Sequence, residues 1–193
     1  MDDHTGLQAH DLATRGSRTA LELPIALGAA DRAPEIPEAA DVYGWLVGSW
    51  TLEVRYYAGV NVSALGVGGE LHASRVLEGR GVQDVWIMPI RRDRATPFDP
   101  ARNMYGTTLR IWDAALEAWR ITWINPARNH TEQQIGRTSG ADIVQLGARS
   151  NGTITRWQFT EITPRSFRWL GDALATDGQT WRREGEFAAT RTA

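Results

Sequence analysis

The chain has 193 residues, of which 42% are hydrophobic and 23% are charged, and its formal net charge is -2. This composition is typical of a globular domain and excludes wholesale disorder, while a charge near zero gives no general attraction to nucleic acid or anionic lipid. The length predicts one domain with a sizeable core. The sequence contains no cysteine, which excludes a disulfide framework, a thiol nucleophile and a thiolate metal site.

The N-terminal segment, residues 1–38, is predicted to be an arm. It lacks sustained periodicity, and its run LELPIALGAADRAPEIPEAAD is rich in proline and alanine. The opening MDDHTGLQAHDL is acidic and polar, unlike a signal peptide, and no apolar run approaches the length of a membrane span. We therefore expect a cytoplasmic protein. Two interpretations of the arm stay open: a disordered tail, or a lid that folds back over the mouth of the domain.

A short helix is predicted between the arm and the first strand. In PEAADVYGWLVGSW, Val42, Trp45 and Leu46 have helical spacing, and Gly48 is suited to end the helix.

The remainder, residues 39–193, is predicted to be an all-β domain. Short runs of strand-forming residues are separated by turn signals such as Asn-Gly and Asp-Gly. The gaps are too short for crossover helices, so consecutive strands should be antiparallel neighbours, and such a meander closes to avoid unpaired edges. We predict a closed barrel of about eight to ten strands, with strands near residues 50–57, 69–78, 81–88, 105–113, 118–125, 130–137, 142–148, 153–162, 166–172 and 179–191.

The stretch WRITWIN, residues 119–125, shows what one face of this barrel carries. As a strand it places Trp119, Ile121 and Trp123 on one side and polar residues on the other. The same alternation recurs in other strands, so we predict one aromatic-lined face. Each indole taken alone is explained by core packing. Together they suggest a cavity wall, because a barrel of this many strands is wider than the eight whose side chains just fill the interior.

Several segments resemble known families. WLVGSWTLEVRYY resembles the Gly-x-Trp opening of calycin-like barrels, the superfamily of lipocalins and fatty-acid-binding proteins, and VLEGRGVQDVWIMP and MYGTTLRIWD are similar to a bacterial family of domains of unknown function with that fold. The resemblance covers roughly residues 41–191. It implies that Trp50 closes the bottom of the barrel and that Arg191 lies against its indole. It implies a fold and no particular chemistry, because this barrel hosts carriers, haem proteins and enzymes.

Polar residues on the inward face are the candidates for a site, because a buried polar group without a partner costs about 1–3 kcal/mol. Asp84 is expected beside the indole of Trp86, as a structural ion pair with Arg75 or Arg183, or as an acid–base carboxylate. A one-residue bulge would invert the facing of its strand. Alternation predicts two catalytic residues, Asp84 and Tyr105, and a ligand-binding set: Tyr56, Arg75, Trp86, Trp123, Asn125, Trp169 and Arg183.

Metal and cofactor motifs are weak or absent. His130 and Glu132 share a strand face in the run HTE, but two ligands do not make a metal site, and we predict none. The sequence has no G-x-S-x-G elbow and no Rossmann fingerprint, and its run GVGGE lacks the following helix that a phosphate-binding loop needs. We therefore expect no cofactor.

These features predict a protein that binds a small, largely apolar molecule inside the barrel. The first hypothesis is a cofactor-independent cyclase, isomerase or lyase of bacterial specialised metabolism, in which the barrel orients a substrate and polar groups polarise it. The alternative is a carrier that binds without chemistry. In both cases the partner is a small hydrophobic ligand or substrate, without nucleic acid or membrane, and the protein is a monomer or homodimer. A third interpretation, a module with a solid core, predicts no cavity.

Overall fold

The computed structural model describes residues 22–94 and 103–192. Short 3-10 turns lie at Glu38–Ala40, Gly44–Leu46, Ser63–Leu65, Arg91–Asp93 and Pro126–Arg128, and residues 22–27 form one helical segment. The strands, in chain order, are β1 (Gly28–Ala29), β2 (Gly48–Tyr57), β3 (Val60–Asn61), β4 (Gly68–Val76), β5 (Gly81–Met88), β6 (Met104–Asp113), β7 (Ala118–Asn125), β8 (His130–Ser139), β9 (Asp142–Ala148), β10 (Ile154–Thr160), β11 (Ser166–Leu174) and β12 (Trp181–Arg191).

Ten of these strands, β2 and β4 to β12, form a closed antiparallel barrel. From β4 onward each strand pairs with the next one in the chain, and β2 closes the sheet by pairing with β12 on one side and β4 on the other. The predicted meander and its closure are confirmed. The ten predicted strands all form, because their period-two alternation and short turns specify each hairpin locally.

The seam between β2 and β4 is covered at both ends by the two shortest strands. β2 and β4 pair only between Gly48–Glu53 and Gly68–Ala73. Beyond that stretch β3 pairs with the end of β2, and β1 pairs with the end of β4. Both freed backbone edges therefore keep hydrogen-bonding partners, which avoids exposing a template for pairing with other chains.

The segment before β2 closes one end of the barrel, which we call the floor. Ala33, Ile36, Tyr43 and Leu46 are buried there. Three indole N–H groups hold the segment by donating to its backbone carbonyls at 2.8 Å: Trp45 to Val42, Trp50 to Leu46, and Trp119 to Ala40. Tryptophan suits this place because its apolar ring packs in the core while its single donor finds a partner.

The predicted short helix before β2 is present as two separate 3-10 helical turns rather than as one α-helix, and Asp41 lies between them. The Asp41 carboxylate accepts hydrogen bonds from Arg75 at 3.1 and 2.5 Å, and the same guanidinium lies so close to Gly44 that a Cβ there would collide with it. A tertiary ion pair therefore occupies the point at which helical periodicity would have continued. Local spacing could not reveal this partner.

The described part of the N-terminal arm lies at the floor. The backbone carbonyl of Leu27 accepts a hydrogen bond from Leu77, and the backbone N–H of Ala33 donates to Gly79, both in the turn between β4 and β5. That turn is at the closed end of the barrel. Residues 27–36 thus lie away from the mouth, and residues 1–21 of the predicted arm fall outside the described part of the chain.

The contact expected between Trp50 and Arg191 is confirmed. The Arg191 guanidinium carbon lies 4.0 Å from the centre of the Trp50 ring. The same group donates to the backbone carbonyls of Trp45 at 2.6 Å, Val47 at 2.7 Å and Pro164 at 2.8 Å. One side chain therefore joins the last strand to the floor segment and to the β10–β11 connection.

We expect Arg191→Met to lower the free energy of unfolding by about 2–4 kcal/mol, because it removes the cation–π contact and three charge-assisted hydrogen bonds. Arg182→Met, on an exposed position of the same strand, is the matched control and should change little. Chemical denaturation of both variants measures the difference. Equal stability of the two would contradict the role given to Arg191.

Candidate ligand-binding site

A cavity of about 600 Å³ opens at the end of the barrel opposite the floor. Its volume lies in the range of small-molecule sites, and the barrel interior is therefore not packed solid. Six aromatic rings form one part of the lining: Tyr57, Trp86, Trp123, Trp157, Trp169 and Phe187. Polar side chains form the other part: Thr108, Asn125, Arg128, His130, Glu132, Gln134, Gln145, Arg149 and Glu184.

The aromatic wall contains one stacked pair of rings on the neighbouring strands β10 and β11, and the Trp86 ring of β5 packs against this group at steeper angles. Trp157 and Trp169 are stacked, with ring centres 5.4 Å apart and planes 19° apart. Trp86 lies 5.8 Å from Trp169 and 5.6 Å from Phe187. Gly171 makes this packing possible, because a Cβ at that position would collide with the Trp157 ring. The wall therefore offers an apolar surface of π-systems to a bound molecule.

The polar wall centres on a buried carboxylate. Glu132 is 3% exposed, and its Oε1 accepts hydrogen bonds from Gln134 at 2.6 Å and Thr155 at 2.5 Å. Its Oε2 lies 3.5 Å from His130 Nε2 and 3.8 Å from Arg149 Nε, distances too long for hydrogen bonds. One carboxylate oxygen is thus fixed by two donors, while the other has no hydrogen bond among the described residues.

Arg149 is held away from Glu132 by a second carboxylate. Its two terminal nitrogens donate to the two oxygens of Glu184, one of them at 3.1 Å. The hydrogen bond to Glu184 raises the pKa of Arg149, so its guanidinium stays charged. This bidentate pair stands at the cavity lining beside Glu132 and fixes where the guanidinium charge lies.

A chain of hydrogen bonds connects the cavity to the buried ion pair beneath it. Gln134 accepts from Gln145 at 3.1 Å, and Gln145 accepts from Arg110 at 3.4 Å. Arg110 donates to Asp84 at 2.6 Å, with both side chains fully buried. The hydrogen bonds run in one direction: Arg110 donates to Gln145, Gln145 donates to Gln134, and Gln134 donates to Glu132. Another nitrogen of Arg110 donates to Asp84. The two amides are therefore oriented, and the side chain of Glu132 is held in place from below.

Two polar atoms in this part of the barrel have no hydrogen-bonding partner among the described residues: Nη2 of Arg110, within the network, and Oδ1 of Asn125. Asn125 is 5% exposed and lines the cavity. Buried side-chain oxygens without partners are uncommon in folded proteins, and each one calls for an explanation.

The predicted site residues divide into two groups. Trp86, Trp123, Asn125 and Trp169 lie together in the cavity lining, as the alternation of their strands predicts. The other predicted residues lie elsewhere: Tyr56, Arg75, Asp84, Tyr105 and Arg183.

Two β-bulges explain the positions of Tyr56 and Arg183. An extra residue in β2 shifts its register against β12, so Tyr57 lines the cavity and Tyr56 does not. An extra residue in β12 shifts its register against β11, and Arg183 instead donates to Asp172 at 2.6 Å outside the cavity. The predicted inward facing of both residues is therefore wrong, because each bulge inverts the alternation beyond it.

Tyr105 and Arg75 are displaced for different reasons. Gly106, not Tyr105, pairs with Trp86, so Tyr105 faces outward and is 44% exposed. Arg75 lies at the floor with Asp41, at the opposite end of the barrel from the cavity. The predicted orientation of Tyr105 is wrong, and Arg75 neutralises a different aspartate from the one expected.

Asp84 faces inward but lies below the cavity. It is 1% exposed, and it accepts hydrogen bonds from Arg110 and from the backbone N–H of Thr108 at 3.1 Å. Its neutralising partner is Arg110, whereas the sequence suggested Arg75 or Arg183. The guanidinium of Arg110 in turn lies 5.0 Å from the centre of the Tyr43 ring and 5.6 Å from that of Phe159. This geometry is that of a structural ion pair.

The sequence analysis missed most of the polar wall. His130 and Glu132 were considered only as metal ligands, and Gln134 and Gln145 were not considered. The available signal was the alternation of Glu132 and Gln134 on β8, which places two polar residues on one face of the strand. Among the described residues, no group of three or more His, Asp or Glu side chains is placed to hold a metal ion.

Comparison of the sequence with protein-family models and with curated proteins gives no match. Within residues 22–94 and 103–192, no helix is long and apolar enough to cross a membrane. The barrel with its aromatic cluster is compatible with binding a small apolar ligand.

We expect Asp84→Asn to lower the free energy of unfolding by about 3–5 kcal/mol, because it leaves the Arg110 charge buried without its partner. The double variant Asp84→Leu/Arg110→Met should be closer to wild type. Asp113→Asn, which breaks an exposed pair with Arg120, is the control and should have a much smaller effect. Denaturant titration measures all three, and an Asp84→Asn variant as stable as wild type would exclude the structural role.

Proposed function

We propose that this protein binds a small neutral molecule with a flat apolar body and one hydrogen-bonding end. The aromatic wall suits the body of such a ligand, since stacked indoles present broad flat surfaces. The polar part of the lining contains the amide of Asn125, level with His130, and the carboxylate of Glu132 two residues further along β8, which suits the polar end.

The observation that carries this proposal is the cavity of about 600 Å³, which is lined by indoles on one part and by the polar side chains of Asn125 and Glu132 on another. The Oδ1 of Asn125 is itself buried without a hydrogen bond among the described residues, which costs about 1–3 kcal/mol. The other amides of the cavity, Gln134 and Gln145, already have partners within the protein. Asn125 is therefore the cavity amide whose oxygen has no hydrogen-bonding partner among the described residues.

The charges of the lining support a neutral ligand. The carboxylates of Glu132 and Glu184 both lie within ion-pair distance of the Arg149 guanidinium. A ligand with a full charge would have to be desolvated into a cavity that offers no net counter-charge, which is costly. The resemblance of the sequence to calycin-like barrels agrees with this proposal, since an enclosed small-molecule cavity is common in that superfamily.

The contacts in the barrel support ligand binding better than they support catalysis by Asp84 and Tyr105, the two residues predicted to be catalytic. Asp84 is neutralised below the cavity, and Tyr105 faces outward. The assignment as a cyclase, isomerase or lyase therefore stays a prediction that these two residues do not support.

We expect Trp123→Ala to raise the Kd for N-phenyl-1-naphthylamine, a flat neutral fluorescent probe with one N–H donor, by about tenfold, because it removes an indole from the wall. Trp181→Ala is the matched control, since that ring packs against Arg156 on the outer face. Probe fluorescence measures both affinities. The absence of saturable binding to the wild type, or equal losses in the two variants, would contradict the proposal.

Asn125→Leu, which keeps the size of the side chain, should raise the free energy of unfolding by about 1 kcal/mol, because it removes the buried unpartnered oxygen. The same variant should bind N-phenyl-1-naphthylamine more weakly. Thermal or chemical denaturation and probe titration test the two effects. A variant that loses stability would show that Asn125 has a structural partner.

A further inference from the structure

We propose that Glu132 is a catalytic proton acceptor that removes a proton from carbon in a neutral molecule bound against Trp123. This inference rests on the proposed function, since it requires the molecule to occupy the cavity. It assigns a reaction to a carboxylate that the sequence offered only as a metal ligand.

The position of Glu132 in the barrel supports this role. Glu132 on β8 is paired across the sheet with Trp123 on β7, and His130 is paired with Asn125. Side chains at paired positions of antiparallel strands are close neighbours on the same face. A flat molecule stacked on Trp123 would therefore have the carboxylate at one edge and the Asn125 amide nearby.

The two oxygens of Glu132 have different environments. Gln134 and Thr155 both donate to Oε1, which fixes the carboxylate in one orientation. Oε2 makes no hydrogen bond with described residues, although His130 and Arg149 lie within 4 Å of it. A general base needs such a positioned and unoccupied oxygen, because a lone pair already bound to a strong donor is a weaker proton acceptor.

The comparison with Asp84 shows that this arrangement is specific. Asp84 uses both oxygens, one for the Arg110 guanidinium at 2.6 Å and one for a backbone N–H. At Glu132 the nearby Arg149 is engaged by Glu184 and does not hydrogen-bond the carboxylate. The same barrel thus contains one buried carboxylate with both oxygens hydrogen-bonded and one with an oxygen that accepts no hydrogen bond from the described residues.

The reaction is balanced without any further reagent. Oε2 takes a proton from a carbon next to an electron-withdrawing group, and the electron pair of the broken C–H bond moves into the conjugated system of the substrate. The positive charge of Arg149, held at the cavity lining by Glu184, lies close to the developing negative charge and stabilises it. The proton then returns from Glu132 to another atom of the same molecule, or to water after a leaving group departs.

The test uses 5-nitrobenzisoxazole, a flat neutral carbon acid. A base removes its ring C–H proton, the electron pair forms a nitrile, the N–O bond breaks, and a coloured phenolate is released. We expect the wild type to accelerate this elimination and Glu132→Gln to lower kcat/KM by about a hundredfold, in the range of general-base catalysis. Glu53→Gln, on the exposed outer face, is the control and should retain the wild-type rate.

A second variant leaves Glu132 in place. Glu184→Gln removes the charge that holds Arg149, which allows the guanidinium to bind Oε2 and should lower the rate at least tenfold. If Glu132→Gln does not fold, the elimination rate of Glu184→Gln tests the proton-acceptor role of Glu132 instead. Displacement of N-phenyl-1-naphthylamine by 5-nitrobenzisoxazole measures binding separately from turnover.

The outcomes separate the two proposals. Displacement of the probe without acceleration, or wild-type rates in Glu132→Gln or Glu184→Gln, overturns the proton-acceptor role and leaves ligand binding intact. Failure of the wild type to bind either molecule overturns the proposed function itself. Acceleration that disappears in both variants but not in Glu53→Gln supports the assignment.

Discussion

The closure of one antiparallel sheet upon itself is the constraint on which the rest of the structure depends. β2 hydrogen-bonds to β12 on one side and to β4 on the other, so the barrel has no free edge between its first and last strands. Ten strands enclose more space than inward side chains fill. The protein divides this space: bulky rings and the 33–46 segment occupy the floor, and the opposite end remains a cavity.

The boundary between floor and cavity is polar. Arg110 lies between the Tyr43 and Phe159 rings, and its charge is matched by Asp84. A buried pair of this kind contributes less to stability than apolar packing of the same volume. This pair orients the polar wall, because Arg110 donates to the amide of Gln145 and Gln145 donates to the amide of Gln134. The floor thereby supports the geometry of the cavity above it.

The polar wall contains two groups that lower the stability of the empty barrel. An acceptor without a partner and a carboxylate with one unoccupied oxygen are both unfavourable in an empty barrel. Asn125 and Glu132 are such groups, and they lie on the neighbouring strands β7 and β8, where Asn125 pairs with His130 and Glu132 with Trp123. Residues that break the rules of burial tend to be those that serve a ligand. Asn125 and Glu132 are therefore the candidates for contact with a ligand. Asp84 is not, because both of its oxygens accept hydrogen bonds within the protein.

The sequence by itself determined the fold and one wall of the cavity. Period-two alternation and tight turns are local properties, so strands such as WRITWIN and the inward facing of Trp123 could be derived from the residues alone. The tertiary structure decided the rest. The bulges that moved Tyr56 and Arg183 exist only between paired strands, and the partner of Asp84 is 26 residues away on the next strand. Hydrogen-bonding partners depend on register and distance across the closed sheet, and no local pattern encodes them.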